Sequence, residues 1–229
     1  MKSAIVTRSD NKIKSLSDLT HPFLKKYAKK CDSDFIILSQ EPIIWVNNNR
    51  PHYRILECKN LLKKYQRLLL LDTDMLILPN CPNVFQEVPY DCIGSIFEDK
   101  GTRKPDRLSR MRDIQNKWGD IGWNSGYTNA GTFVISSCHD HIFDSVNGKY
   151  WEGRGSVDVH FSYMARKHNY KFHELSFKWN HMTMFSESWN KNADRFQSYI
   201  IHYAGRGIFD KDVSDRILQI KKDIKTIYE

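Results

Sequence analysis

Residues 67–79, RLLLLDTDMLILP, constrain this chain more than any other stretch. Four consecutive leucines between polar residues read as a strand buried on both faces, the kind a parallel α/β sheet uses. The run meets Asp72 and Asp74, one residue apart, and then turns apolar again at Met75, Leu76, Ile77 and Leu78. In an open α/β sheet, ligands bind beyond the carboxyl ends of strands. Two carboxylates therefore stand where a site would be. Residues two apart on an extended chain face the same side, and paired carboxylates repel unless a cation neutralises them. Hard oxygen donors point to Mn²⁺ or Mg²⁺. So sparse a protein ligand set leaves room for a phosphorylated substrate and water, which predicts a metal–diphosphate site. The competing reading is an Asp-rich turn whose side chains bond their own backbone.

The rest of the chain supplies the sheet. SAIVT (3–7), DFIILS (34–39), RLLLLD (67–72), YDCIGSIFE (90–98), TNAGTFVIS (128–136) and YIIHYAG (199–205) read as strands. HPFLKKYAKKC (21–31) reads as a helix with Pro22 in its first turn, and YRILECKNLLKKY (53–65) as a second with Ile55, Cys58, Leu62 and Tyr65 inward. A polar loop spans 40–51, and a helix starts near Ser156. At the C-terminal end Val213, Ile217, Ile220, Ile224 and Ile227 make an apolar stripe at helical spacing. Strands alternating with helices predict an α/β fold with a mostly parallel central sheet and helices on both faces. We expect a single domain over 1–229, with a nucleotide-binding part at about 1–98 and a sugar and acceptor part at about 99–229.

Composition narrows the function classes. The 229 residues carry a net charge of +8, which suits nucleic acid or a phosphorylated ligand. No aromatic RNA-binding signature accompanies the basic residues, so nucleic acid is not the expected partner. Segment 100–117, KGTRKPDRLSRMRDIQNK, has seven basic and two acidic residues and few apolar ones. It reads as a long, mobile, basic loop with some helical content. Five dispersed cysteines without C-x-x-C spacing read as free thiols. No apolar run is long enough for a membrane span, and MKSAIVTRSD lacks the pattern of a signal peptide; the expected location is cytoplasmic.

The segment from Tyr53 to Leu78 resembles the metal-dependent GT-A glycosyltransferases, in particular the glycogenin and lipopolysaccharide galactosyltransferase family. Three further stretches are similar to family motifs and follow in order. TNAGTFVIS is similar to its N-[SA]-G strand. VDVHFSYMARKHNYKFHELSFKWN is similar to its D-Q-D helix and the segment after it. IIHYAG is similar to its H-F-x-G strand. The resemblance implies the GT-A fold, with Asp72, Asp74 and His202 as metal ligands and Thr73 beside them in the nucleotide-sugar site. It places Thr7 and Arg8 at the uridine, Arg54 at the nucleotide-sugar, and Asn129, Ala130 and Gly131 along the sugar. Asp99 falls near an acid that binds sugar hydroxyls. Gly205 and Arg206 fall at the diphosphate, and Asp158 near the anomeric carbon as the candidate catalytic residue. Two departures stand out. Val159 and His160 replace Gln and Asp of D-Q-D, and GRGIFD replaces the lysine-bearing G-x-x-K-P-W tail that clamps phosphate. Outside the resemblance, His202 among apolar neighbours would be a core histidine, and Asp158 an acid at a helix start.

The implied activity is Mn²⁺- or Mg²⁺-dependent transfer of a sugar, with retention, from a UDP-sugar to a hydroxyl of a glycan or glycoprotein. Two rivals are a haloacid-dehalogenase-like phosphatase, whose first Asp is a nucleophile, and a non-catalytic nucleotide-sugar or carbohydrate-binding module. Met75 and Leu76 stand where the phosphatase pattern expects Gly-Thr.

Overall fold

The structure, a computed structural model, describes residues 1–39 and 51–228. The loop read over 40–51 lies outside the described residues apart from its last residue. Elements follow in the order β1 (Ser3–Arg8), α1 (Lys14–Lys30), β2 (Asp34–Leu38), α2 (Cys58–Leu61), β3 (Arg67–Leu71), β4 (Met75–Ile77), α3 (Val84–Glu87), β5 (Cys92–Phe97), α4 (Lys104–Trp118), β6 (Thr128–Ser136), α5 (Ser156–Lys167), β7 (Lys171–Glu174), β8 (Ile200–His202) and α6 (Arg216–Tyr228). Six strands form the main sheet in the order β2-β1-β3-β6-β5-β7, and β4 pairs with β8 in a small second sheet. All neighbours in the main sheet are parallel except those of β6, which runs against both β3 and β5.

The leucine run sits at the centre of this sheet, and its period of two divides the core. Leu68 and Leu70 face one layer with Met111 and Ile114 of α4 and Phe161 and Met164 of α5. Leu69 and Leu71 face the other with Leu24, Tyr27 and Ala28 of α1. Both faces of β3 are therefore covered, which is why the run is apolar throughout; each fully buried leucine contributes roughly 1.5–3 kcal/mol. A third cluster joins Leu16 of α1, Leu76, Ile201, Tyr203 and Ile220, and docks α6 on the small sheet. Ile217, Ile224 and Ile227 of the stripe pack on that cluster.

Three expectations need correction. Segment 100–117 is not a loop: α4 fills most of it. Pro105 and Asp106 occupy its first turn, Met111 and Ile114 are buried, and several of its charges are paired: Arg107 with Glu98, and Arg110 with Asp106. The expectation of a loop rested on scarce apolar residues, but a helix held by ion pairs and a narrow apolar stripe needs few. Helix α1 begins seven residues earlier than expected, with Pro22 inside it rather than in its first turn. Asp10 accepts from Lys12 N and Ile13 N and starts a 3₁₀ turn that leads into it. The helix read over 53–65 is a 3₁₀ segment, Pro51–Glu57, followed by the one-turn α2. Ile55, Cys58 and Leu62 are nevertheless buried there.

Candidate active site

Asp72 follows the last residue of β3, and its N–H donates to Gly131 O at 3.0 Å, extending the β3–β6 pairing by one bond. Thr73 ties the turn down. Its Oγ1 donates to Arg8 O, and its carbonyl accepts from Thr20 Oγ1 at 2.6 Å. The next strand, β4, pairs with β8 so that Met75 lies opposite His202, and Tyr203 N donates to Asp74 O at 2.9 Å. This small sheet brings His202 beside Asp74 across 128 residues of sequence.

One carboxylate oxygen of each aspartate points inward and the other outward. The inner pair meets the histidine: His202 Nε2 is 3.7 Å from Asp72 Oδ2 and 3.3 Å from Asp74 Oδ1. One ligand atom from each of the three residues lies within 4.8 Å of the others. The outer pair meets arginines: Arg8 Nη2 donates to Asp72 Oδ1 at 2.7 Å, and Arg216 Nη1 to Asp74 Oδ2 at 2.6 Å. The inner oxygens and Nε2 are a ligand set that could hold a divalent ion, while the arginines stand on the outer oxygens. Burial works to raise the Asp74 carboxyl, but His202 and Arg216 overcome it and hold it well below the usual carboxylate range. Burial alone would lower His202; the carboxylates of Asp74 and Asp72 lift it above its ordinary value.

Gly131 makes this convergence possible. A Cβ there would lie 2.7 Å from Asn129 Oδ1 and 2.8 Å from both Asp72 Oδ2 and His202 Cε1. The missing side chain thus leaves space for the ligand cluster itself.

The cluster opens into a cleft of about 410 Å³. Arg8, Asn129, Ala130, Asp158 and Gly205 line it with the three ligands, as do Gly155 and Arg216. Asp158 lies in the first turn of α5, and its Oδ1 accepts from Ala130 N at 2.9 Å. Burial, with the negative charges of Glu98 and Asp72 beside it, pushes its carboxyl up to about 7. Gly155, at the N-cap of α5, has φ +82°, and a Cβ would collide with Tyr127 Oη at 2.4 Å. Glycine is needed there on both counts.

Six sequence-derived candidates do not line this cleft, Thr73 and Gly131 among them. Thr7 is buried on β1. Arg54 is buried and donates to Ser9 O at 3.0 Å, bracing the turn after β1. Asp99 uses both carboxylate oxygens on Gly126 N and Tyr127 N, at 2.9 and 2.8 Å. Arg206 is exposed beside Gly205. His160, where the family has an acid, is fully buried and turned away, with Nε2 2.8 Å from Asp144 O. Burial pushes it down to about 4, so it is neutral. Sequence reasoning missed Arg216, Gly155 and Asn180. Arg216 carries no local signal, since it meets Asp74 across 142 residues. Asn180 closes the KWN stretch already compared with the family, and its Oδ1 is 2.7 Å from His202 Nδ1.

No family model matches the chain, and neither does any curated protein. Solved structures do match. A glycosyltransferase involved in glycosylation of the major capsid of PBCV-1 superposes with a TM-score of 0.63 at 12% identity, over 97% of this chain and 98% of that one. The galactosyltransferase LgtC, in complex with donor and acceptor sugar analogues, gives 0.59 at 14%, over 99% and 96%. The WbbM bifunctional glycosyltransferase gives 0.65 at 10%, over 99% of this chain and 50% of that one, so the chain spans half of WbbM. At these identities the likeness is one of fold. The chain has the GT-A glycosyltransferase fold, with Asp72, Asp74 and His202 gathered where a metal ion fits.

Proposed function

We propose that this protein transfers a sugar, with retention of configuration, from a UDP-sugar to a hydroxyl of a glycan or glycoprotein. The observation that carries the reading is the convergence of Asp72 Oδ2, Asp74 Oδ1 and His202 Nε2 in the cleft of a GT-A fold, with arginines on the outer oxygens. These three residues would hold Mn²⁺ or Mg²⁺, and the bound ion would stabilise the charge growing on the departing diphosphate. Arg8 and Arg216 add two guanidinium groups at the same wall, and guanidinium matches phosphate oxygens bidentately. Arg216 thereby takes the place of the absent family lysine. Asn129 and Ala130 on β6 line the sugar; residues 1–98 serve the nucleotide, and 99–229 serve the sugar and acceptor while lending His202 and Arg216 to the metal and diphosphate.

Asp158 faces the same cleft from the first turn of α5; with retention no strong base is required, and its proposed place is near the anomeric carbon, beside the charge that develops as the sugar–phosphate bond breaks. The Ala130 N–H fixes one of its oxygens and so aims the other. The phosphatase alternative needs Asp72 free for attack, whereas its Oδ1 is held by Arg8 and its Oδ2 faces His202.

The test is release of UDP from a panel of UDP-sugars, with glycan acceptors and Mn²⁺. Release is expected with the metal and should vanish in EDTA and in Asp72→Asn and Asp74→Asn. Hydrolysis of phosphate monoesters with no action on any nucleotide-sugar would overturn the reading in favour of a phosphatase.

A further inference from the structure

Three ligands alone do not explain how His202 is held. His202 Nδ1 lies 2.7 Å from Asn180 Oδ1. Asn180 Nδ2 donates to Asn129 Oδ1 at 2.9 Å. Asn129 Nδ2 donates to Glu98 Oε1 at 2.5 Å. Glu98 Oε2 accepts from Arg107 Nε at 2.6 Å, and Arg107 Nη2 touches the same oxygen. Asn180, Glu98 and His202 are 0%, 1% and 3% exposed, so water offers them few substitute partners.

The direction of this chain is forced. A carboxylate facing a guanidinium only accepts. Asn129 must therefore turn its NH₂ toward Glu98. Its oxygen then faces the other way, and the Gly131 N–H independently demands an oxygen there, donating at 2.9 Å. Asn180 must in turn show its NH₂ to Asn129 and its oxygen to His202. An oxygen opposite Nδ1 requires a proton on Nδ1. The neutral ring then keeps its lone pair on Nε2, the nitrogen that faces both aspartates. The opposite tautomer would set the Nδ1 lone pair against the Asn180 oxygen at 2.7 Å in a buried place, at the cost of an unmade hydrogen bond, whereas a cation between Nε2 and the aspartates relieves the corresponding opposition on the other side of the ring.

We infer that Arg107, Glu98, Asn129 and Asn180 form a positioning relay that keeps a proton on Nδ1 of His202, so that Nε2 is the nitrogen left to ligate when a divalent cation arrives. The inference rests on reading the cluster as a metal site. It gives Glu98 and the basic helix α4 a role at that site although neither touches it. The relay reaches from the surface helix, through β5 and β6, to the small sheet. Partners that orient a ligating histidine are generally worth roughly 10–100-fold in metal affinity.

The experiment compares the full chain with Asn180→Asp, which keeps an oxygen for His202 but loses the donor to Asn129, and with Asn180→Leu, which keeps only bulk. Two readouts are needed. One is the ¹⁵N shifts of His202 in metal-free, histidine-labelled protein, on the alkaline side of the imidazole titration. The other is Mn²⁺ affinity by calorimetry. The wild type and Asn180→Asp should show the Nδ1–H tautomer. Asn180→Leu should show a mixture or the reverse, with Mn²⁺ affinity lowered roughly 10–100-fold. Melting temperatures should rank the variants differently, because a buried carboxylate facing Asn129 Oδ1 makes Asn180→Asp no more stable than Asn180→Leu. An Nε2–H tautomer in the wild type, or a tautomer unmoved by Asn180→Leu, would overturn the relay. So would an Mn²⁺ affinity that merely follows melting temperature. A wild type that binds no Mn²⁺ removes the metal reading instead, and the nitrogen shifts still decide the tautomer.

Discussion

Asp158→Asn should stabilise the protein at high pH and do little at low pH. The native carboxyl titrates at about 7 against an ordinary 3.8, with burial as the first cause and the charges of Glu98 and Asp72 adding to it. Between these values the folded state keeps a proton that the unfolded chain has released. This group's contribution to stability therefore falls as pH rises through that window, and the loss is complete above the folded value. The full gap corresponds to about 4 kcal/mol, and the part between pH 5 and pH 8 to about 2–3 kcal/mol. Asparagine removes the titration but keeps an oxygen for the Ala130 N–H. Urea unfolding at the two pH values measures the difference directly. The stability gap between variant and wild type should widen by about that amount toward pH 8. A gap that is the same at both values would refute the argument, because it would mean that Asp158 is not held protonated by its surroundings. Mn²⁺ should shrink the effect without abolishing it, since it neutralises the Asp72 contribution and leaves the burial.

Further outcomes follow from the site's packing. Gly131→Ala should lower Mn²⁺ affinity at least tenfold by calorimetry, because the added methyl meets Asn129, Asp72 and His202 together; the fold should lose only about 1–3 kcal/mol. Arg216→Ala should reduce kcat/KM for the nucleotide-sugar by roughly tenfold to a hundredfold, the worth of one charged hydrogen bond, while Arg206→Ala, out on the surface, should change it little. Asp223, fully buried, accepts from Arg195, Tyr203 and Gln219. Asp223→Ala should cost about 1–3 kcal/mol in urea unfolding by removing the shared acceptor of Arg195, Tyr203 and Gln219 while Arg195 keeps Asp210, and should weaken nucleotide binding by loosening the helix that carries Arg216.

The sheet was legible because its signal is local. Leu68 to Leu71 announce a strand covered on both sides, and Asp72 and Asp74 are adjacent enough to show their repulsion without any partner in view. His202 was legible only through a resemblance, since its role depends on the β4–β8 pairing, which short strands do not advertise. Arg216 and Glu98 were out of reach for the same reason: each acts through contacts with residues far away in the sequence. Asp99 and Glu98 illustrate the limit well. They are adjacent acids, and sequence favoured Asp99, yet its oxygens clamp the 126–127 backbone while Glu98 anchors the chain to His202. Segment 100–117 misled because charge was taken for solvation, whereas Arg107 is spent on a buried partner.

On the proposed reading, the inner oxygens of Asp72 and Asp74 and the Nε2 of His202 hold a divalent cation that grips a nucleoside diphosphate. Crystals grown with Mn²⁺ and UDP, and measured for anomalous scattering from manganese, test it most directly. One anomalous peak is expected within bonding distance of all three atoms, with diphosphate oxygens completing its coordination and Arg216 turned toward them. Nucleotide density in the cleft with no manganese between Asp72, Asp74 and His202 would contradict it.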